Sequence, residues 1–223
     1  MLVALVRDQK GLTLIELMIG MLLGLIVTGI AISMYISTLG ITRQTGNTVR
    51  IGHELSASLD LIVRDLRRAG YWNDSSGSNP HGDIVAGGSP VMIFDAGATT
   101  PKVSGDCVVF SYDLNRSGGS TSPELFGYKL AVESSVGVLQ GLFVASAASP
   151  SGNGCDQTGW VNVTDPSFLN ITALSFVANP NGSVASFASA SVRSIGIEIS
   201  GFVIDDPLLV RQVRESVRVR NDL

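Results

Sequence analysis

Residues 10–39 read KGLTLIELMIGMLLGLIVTGIAISMYISTL, and after Glu16 no charge recurs until Arg43. The run exceeds the roughly 20 apolar residues that a helix needs to cross hydrocarbon, so it predicts a membrane helix. Glu16 is the exception inside it. A carboxylate at a bilayer centre costs about 2.5 to 3.5 kcal/mol even on insertion-derived scales, which makes an intramembrane acid a functional candidate by default. Arg7 and Lys10 precede the run and outnumber Asp8. By the positive-inside rule this keeps residues 1–11 in the cytoplasm and sends the chain after Arg43 across the membrane. The run is too long for a secretory signal peptide, and no Ala-x-Ala site closes it. A single-pass anchor satisfies the hydropathy but gives Glu16 no task.

Beyond the membrane the pattern becomes amphipathic. Leu55, Leu59, Ile62 and Leu66 recur at four, three and four residues, with Val63 beside them, so one helix face must pack on something. Asp60 and Arg64 stand at i, i+4 as a weak exposed pair. Gly70, after Arg67 and Arg68, is placed to end the helix. One nearly continuous helix over about residues 12–69 is expected. Gly20 and Gly24 form a G-x-x-x-G that suits close helix approach, or else soften the helix locally.

Residues 71–105 are dense in Asn, Asp, Ser, Gly and Pro and predict a long surface connection with one brief strand at 91–94. Strand signals follow at 107–112, 126–132, 138–144, 171–177, 195–204 and 208–220. Val108, Phe110 and Tyr112 share one face, and Phe126, Tyr128, Leu130 and Val132 alternate in the next run. Asp205-Asp206-Pro207 is a turn that makes the last two strands an antiparallel hairpin. The fold class is α+β: a long N-terminal helix, half in the membrane and half amphipathic, packed on a mainly antiparallel β-sheet head. The expected divisions are 1–11, 12–70 and 71–223, with the apolar segment at about 12–39.

The chain of 223 residues has a net charge of −4, which argues against a strongly basic nucleic-acid binder. Arginines cluster at Arg64/Arg67/Arg68 and at Arg211/Arg214/Arg218/Arg220; a solvated face accounts for both. Cys107 and Cys155 lie far apart with no Cys-x-x-Cys, so they do not read as metal ligands. In an exported head they favour a disulfide, with two buried free thiols as the alternative. His53 and His81 belong to no His-Glu-x-x-His, and no Gly-x-Ser-x-Gly elbow or phosphate-cradling loop occurs, so no enzyme is expected. Residues 113–124, DLNRSGGSTSPE, approximate a calcium loop through Asp113, Asn115, Ser117 and Glu124, with Gly118 at the turn. Ser117 replaces the usual acid, Pro123 stiffens the exit and strands flank the loop. A polar hairpin loop with Asx turns is the alternative.

Lys10-Gly11-Leu12-Thr13-Leu14-Ile15-Glu16-Leu17 resembles the type IV prepilin signature, shared by pilins and by type II secretion pseudopilins. The resemblance implies that a prepilin peptidase removes residues 1–11 by cutting between Gly11 and Leu12, and methylates the new amine of Leu12. Leu12 stands where Phe is commoner. The cut puts a positive amine one helical turn from Glu16. By the same resemblance, Glu16 of an incoming subunit pairs with the amine of its neighbour in the filament.

Arg64-Asp-Leu-Arg-Arg-Ala-Gly-Tyr-Trp72, Phe110-Ser-Tyr-Asp113, Phe126-Gly-Tyr-Lys-Leu130, residues 160–166 (WVNVTDP) and residues 217–221 (VRVRN) resemble PilW-family minor pilins. That implies a low-abundance subunit of a type IV pilus that primes assembly and forms the tip. Its partners would be other minor pilins, the major pilin and a PilY-type tip adhesin. It would sit in the bacterial inner membrane, head in the periplasm, before entering the extracellular pilus. A J-type pseudopilin of a type II secretion system is the alternative reading, and a DNA-uptake pilin a third.

Overall fold

The computed structural model describes residues 11, 13–73, 79, 81, 89–95, 100–114, 116, 124–144, 155, 158–179 and 194–219. They form one helix and nine strands: α1 (Leu14–Leu66), β1 (Val91–Phe94), β2 (Ser104–Gly105), β3 (Cys107–Ser111), β4 (Leu125–Glu133), β5 (Val136–Val144), β6 (Trp160–Asn162), β7 (Leu169–Ala178), β8 (Ser194–Val203) and β9 (Asp206–Arg218). The chain divides into two compact units, Met1–Asn47 and Thr48–Leu223. The second half of α1 therefore groups with the head.

In the first unit, residues 14–46 of α1 bury no side chain. The helix is long and apolar enough to cross a membrane. It runs unbroken through Gly20, Gly24 and Gly29. The hydroxyls of Thr28, Thr38, Thr42 and Thr45 each donate to the carbonyl four residues earlier, at 2.7–2.9 Å. A hydroxyl in hydrocarbon needs a partner, and these threonines find theirs inside their own helix.

In the second unit the rest of α1 turns Ile51, Leu55, Leu59, Ile62 and Leu66 into a single core. This is the expected face, extended by one turn to Ile51. The i, i+4 ion pair here is Arg50–Glu54, at 3.1 Å, rather than the expected Asp60–Arg64. Gly70, at φ 76°, ends the winding where its N–H donates to the Ser111 carbonyl; only a residue without a Cβ adopts that conformation at no cost.

The head holds two antiparallel sheets, ordered β1-β3-β4-β5-β6 and β2-β7-β8-β9. Val108, Phe110, Phe126 and Leu139 of the first share the α1 core with Leu169, Phe176, Ile195, Ile197 and Ile199 of the second. The sheets touch where β5 passes β7. A Cβ on Gly137 would stand 1.9 Å from the Ile171 carbonyl oxygen, and the Gly137 N–H donates to Asn170 Oδ1 at 2.9 Å. Glycine is the residue that admits this approach of two backbones. The other face of the first sheet is also buried: its Met92, Phe94, Cys107, Val109 and Leu125 cluster with Cys155. That is why β1 and β3 are buried throughout instead of alternating. The 71–105 connection is correspondingly less superficial than its composition predicts, since His81, Ser89 and all of β1 are buried.

Candidate functional site

At the start of α1, Thr13 is the capping residue. Its carbonyl accepts from the N–H groups of Glu16 and Leu17 at 3.1 and 3.2 Å, and its Oγ1 accepts from Glu16 N at 3.3 Å. Thr13-x-x-Glu16 is thus a capping-box sequence. The pattern was legible ahead of the apolar run, although the prepilin signature alone does not point to Thr13. Glu16 lies in the first turn, exposed, where the positive end of the helix dipole favours a carboxylate. Gly11 is exposed with open space around its Cα, and Leu12 lies outside the described residues.

The head arginines are distributed into separate contacts. Arg67 reaches Glu215 at 3.8 Å, while Arg214 and Gln212 converge on Glu198. Arg68 stands 5.9 Å from the Tyr112 ring. Arg50 is the most engaged: it bridges Glu54 and Asp165 at 3.1 Å each and lies 3.7 Å over the Phe168 ring. Asp165 is held below the usual carboxylate range by its bonds from the Ser167 hydroxyl and N–H, with Arg50 adding to the effect. Two opposite ends of the head thus use arginine to tie strands or loops to the helix. Arg220 lies outside the described residues.

Asp113 and Glu124 of the 113–124 loop are both buried and brought together. Glu124 Oε2 accepts from the Leu114 N–H at 2.7 Å, and Asp113 Oδ2 accepts from Asn73 N at 3.4 Å. Asn115 and Ser117 lie outside the described residues. Among the described residues no group of three or more His, Cys, Asp or Glu is arranged to hold a metal ion. The two carboxylates anchor the loop base and the segment leaving α1. Buried His81 hydrogen-bonds through Nδ1 to Ser111 Oγ at 2.6 Å. Burial lowers the His81 pKa below its ordinary 6.5, against the upward pull of Asp113 and Glu124.

Cys107 and Cys155 form a disulfide across 48 residues, with Cα atoms 6.4 Å apart. The bridge sits in the apolar cluster behind the first sheet, beside Trp160.

The prokaryotic N-terminal methylation motif matches residues 6–32, so it contains Gly11, Leu12 and Glu16. Residues 44–219 match the family described as prepilin peptidase-dependent protein B. The chain belongs to that family. Neither a curated protein nor a solved structure matches it. Membership makes the chain a pilin-like protein that depends on a prepilin peptidase, and that enzyme is one of its partners. The apolar helix and the methylation motif together fit a membrane-anchored pilin. The two matches divide the molecule much as its compact units do: one covers the apolar helix start, the other the buried half of α1 with both sheets.

Proposed function

We propose that this prepilin peptidase-dependent protein is a minor pilin of a type IV pilus, a structural subunit rather than an enzyme, which helps prime assembly and stand at the tip. The observation that carries the reading is the join between a methylation motif and an apolar helix start capped by Thr13, with Glu16 in its first turn. Cleavage after Gly11 would leave a methylated ammonium group on Leu12. A lone ammonium and a lone carboxylate are each costly in hydrocarbon, whereas a pair in contact is far less so. Glu16 of one subunit therefore finds its favourable partner in the amine of the next, and the charge pair sets the register of assembly. The β-rich head and its disulfide suit an oxidising exterior, and the motifs shared with PilW-type minor pilins favour that subtype.

The test is to shear filaments from the cell surface and sequence the N-terminus of this protein within them. A chain beginning at methylated Leu12, co-purifying with pilus minor subunits, is the expected result. A chain still beginning at Met1 and confined to the inner membrane would overturn the reading, and co-purification with secretion pseudopilins would reassign it.

A further inference from the structure

Along one side of the buried half of α1 runs an open groove between the helix and the β5–β6 edge of the first sheet. Its two parts, about 290 Å³ and 220 Å³, share Leu61 and Val163. The helix contributes Glu54 at one end and Asp65 at the other, eleven residues or about 16 Å apart at 1.5 Å per residue. That is three helical turns. Between them Ala57 and Ser58 keep the wall low enough for another backbone to come close. The opposite wall carries Phe143 and Val161, which are 57% and 68% exposed.

The acids at the two ends are not equivalent. Asp65 accepts a 2.6 Å hydrogen bond from the Tyr128 hydroxyl. Glu54 pairs with Arg50 through Oε1 only; its Oε2 is buried and has no hydrogen-bond partner. A buried carboxylate oxygen without a donor is costly, and a cation arriving from outside would relieve it.

We infer that this groove receives the apolar N-terminal helix of a second pilin-type subunit, with the basic residue that ends its apolar stretch set against Glu54. The inference rests on the proposed role as an assembling subunit. This chain shows what such an occupant looks like: residues 17–42 carry no charge, residues 14–46 bury nothing within their own chain, and Arg43 follows at the boundary. A helix of that chemistry suits the groove in its apolar side chains and in the sign of the charge at its end, with about three of its turns lying between the two acids. A head that engages the neighbour's helix adds a contact outside the lipid to the Glu16–amine pair within it.

The experiment places a benzoylphenylalanine photo-crosslinker at Val161 of the full chain in cells and maps the adduct by peptide mass spectrometry, in both the inner-membrane fraction and sheared filaments. The expected adduct is a peptide from another subunit's apolar helix, near its first basic residue. Glu54→Gln should lower its yield by about thirtyfold, the loss expected when one partner of a desolvated charge pair is removed. An intact Cys107–Cys155 bridge, read by mass without reductant, reports that the variant has folded. Adducts to lipid, to head strands or to nothing, or an undiminished yield in Glu54→Gln, overturn the inference. Absence of the helix adduct in correctly processed filaments would remove the groove contact and leave the proposed function standing. A helix adduct on chains that keep Met1 would do the reverse.

Discussion

Residues 14–46 and residues 48–66 belong to one continuous helix, yet they hold their shape for different reasons. The first stretch buries nothing and satisfies even its threonine hydroxyls internally. The second buries Ile51, Leu55, Leu59, Ile62 and Leu66 against two sheets and is bound to the head by Arg50. The first half is stabilised by what surrounds the molecule, whether lipid or other subunits, and the second by the molecule itself. A substitution in the first half should therefore change association and leave head stability untouched; one in the second should do the opposite.

The largest contrast is at Glu16. Glu16→Ala should leave membrane insertion, processing and the melting temperature of the head unchanged while abolishing recovery in sheared filaments. Normal recovery would break the division between the halves, because it would leave the one charge in the apolar stretch without an associative role. The disulfide gives the complementary result. On the chain-entropy account a bridge across 48 residues contributes about 4 kcal/mol, so Cys107→Ser with Cys155→Ser should lower head stability by about that amount in denaturant titration. A change under about 1 kcal/mol would show that the apolar cluster behind the first sheet holds without it.

Much of this was legible because it rests on local pattern. The apolar run, the 55/59/62/66 periodicity, Gly70 and the alternation in β8 each follow from side-chain spacing, and each matches the structure; β3 is buried throughout instead, because both faces of its sheet are covered. The division into two sheets does not follow from spacing. The close approach of the two sheets at Gly137 and the Ile171 carbonyl is equally hidden, since a glycine reads as well as a turn or a gap until its neighbour is known. The β4–β5 hairpin was obscured differently. It turns through Ser134 and Ser135 at φ 49° and 72°, a conformation that normally announces itself by Asn-Gly. At the candidate site, Glu16 stood out because charge in an apolar run is conspicuous, whereas Thr13 was overshadowed by it. The groove was out of reach altogether, because it joins residues 54–65 to residues more than forty positions later.

A paired truncation sharpens the comparison at the next level down. Leu55→Ala removes a fully buried side chain from the core and should cost about 3 kcal/mol of head stability. Leu22→Ala removes the same atoms from a side chain that is 58% exposed within the chain, and should leave head stability within about 0.5 kcal/mol of the parent. If the two variants destabilise the head equally, the halves are coupled and the division at Asn47 has no energetic meaning.

The smallest effect is a pH dependence confined to the second unit. His81 is buried against Ser111, with Asp113 and Glu124 facing it, and burial outweighs their attraction so that its pKa falls below 6.5. The unfolded chain therefore takes up the proton before the folded head does. Stability from the neutral imidazole is fully present above the unfolded pKa and is lost progressively as pH falls through about 6.5 towards the folded value. The head should melt earlier at about pH 5.5 than at about pH 7.5, and His81→Gln should flatten that slope. Asp113→Asn, by removing part of the upward pull, should steepen it. No histidine lies among residues 14–47, so circular dichroism of a peptide from that stretch in detergent should not change over the same range. A head whose melting is unaffected by acid, or a His81→Gln variant with an unchanged slope, would mean that His81 is not the group in the second unit that senses the proton.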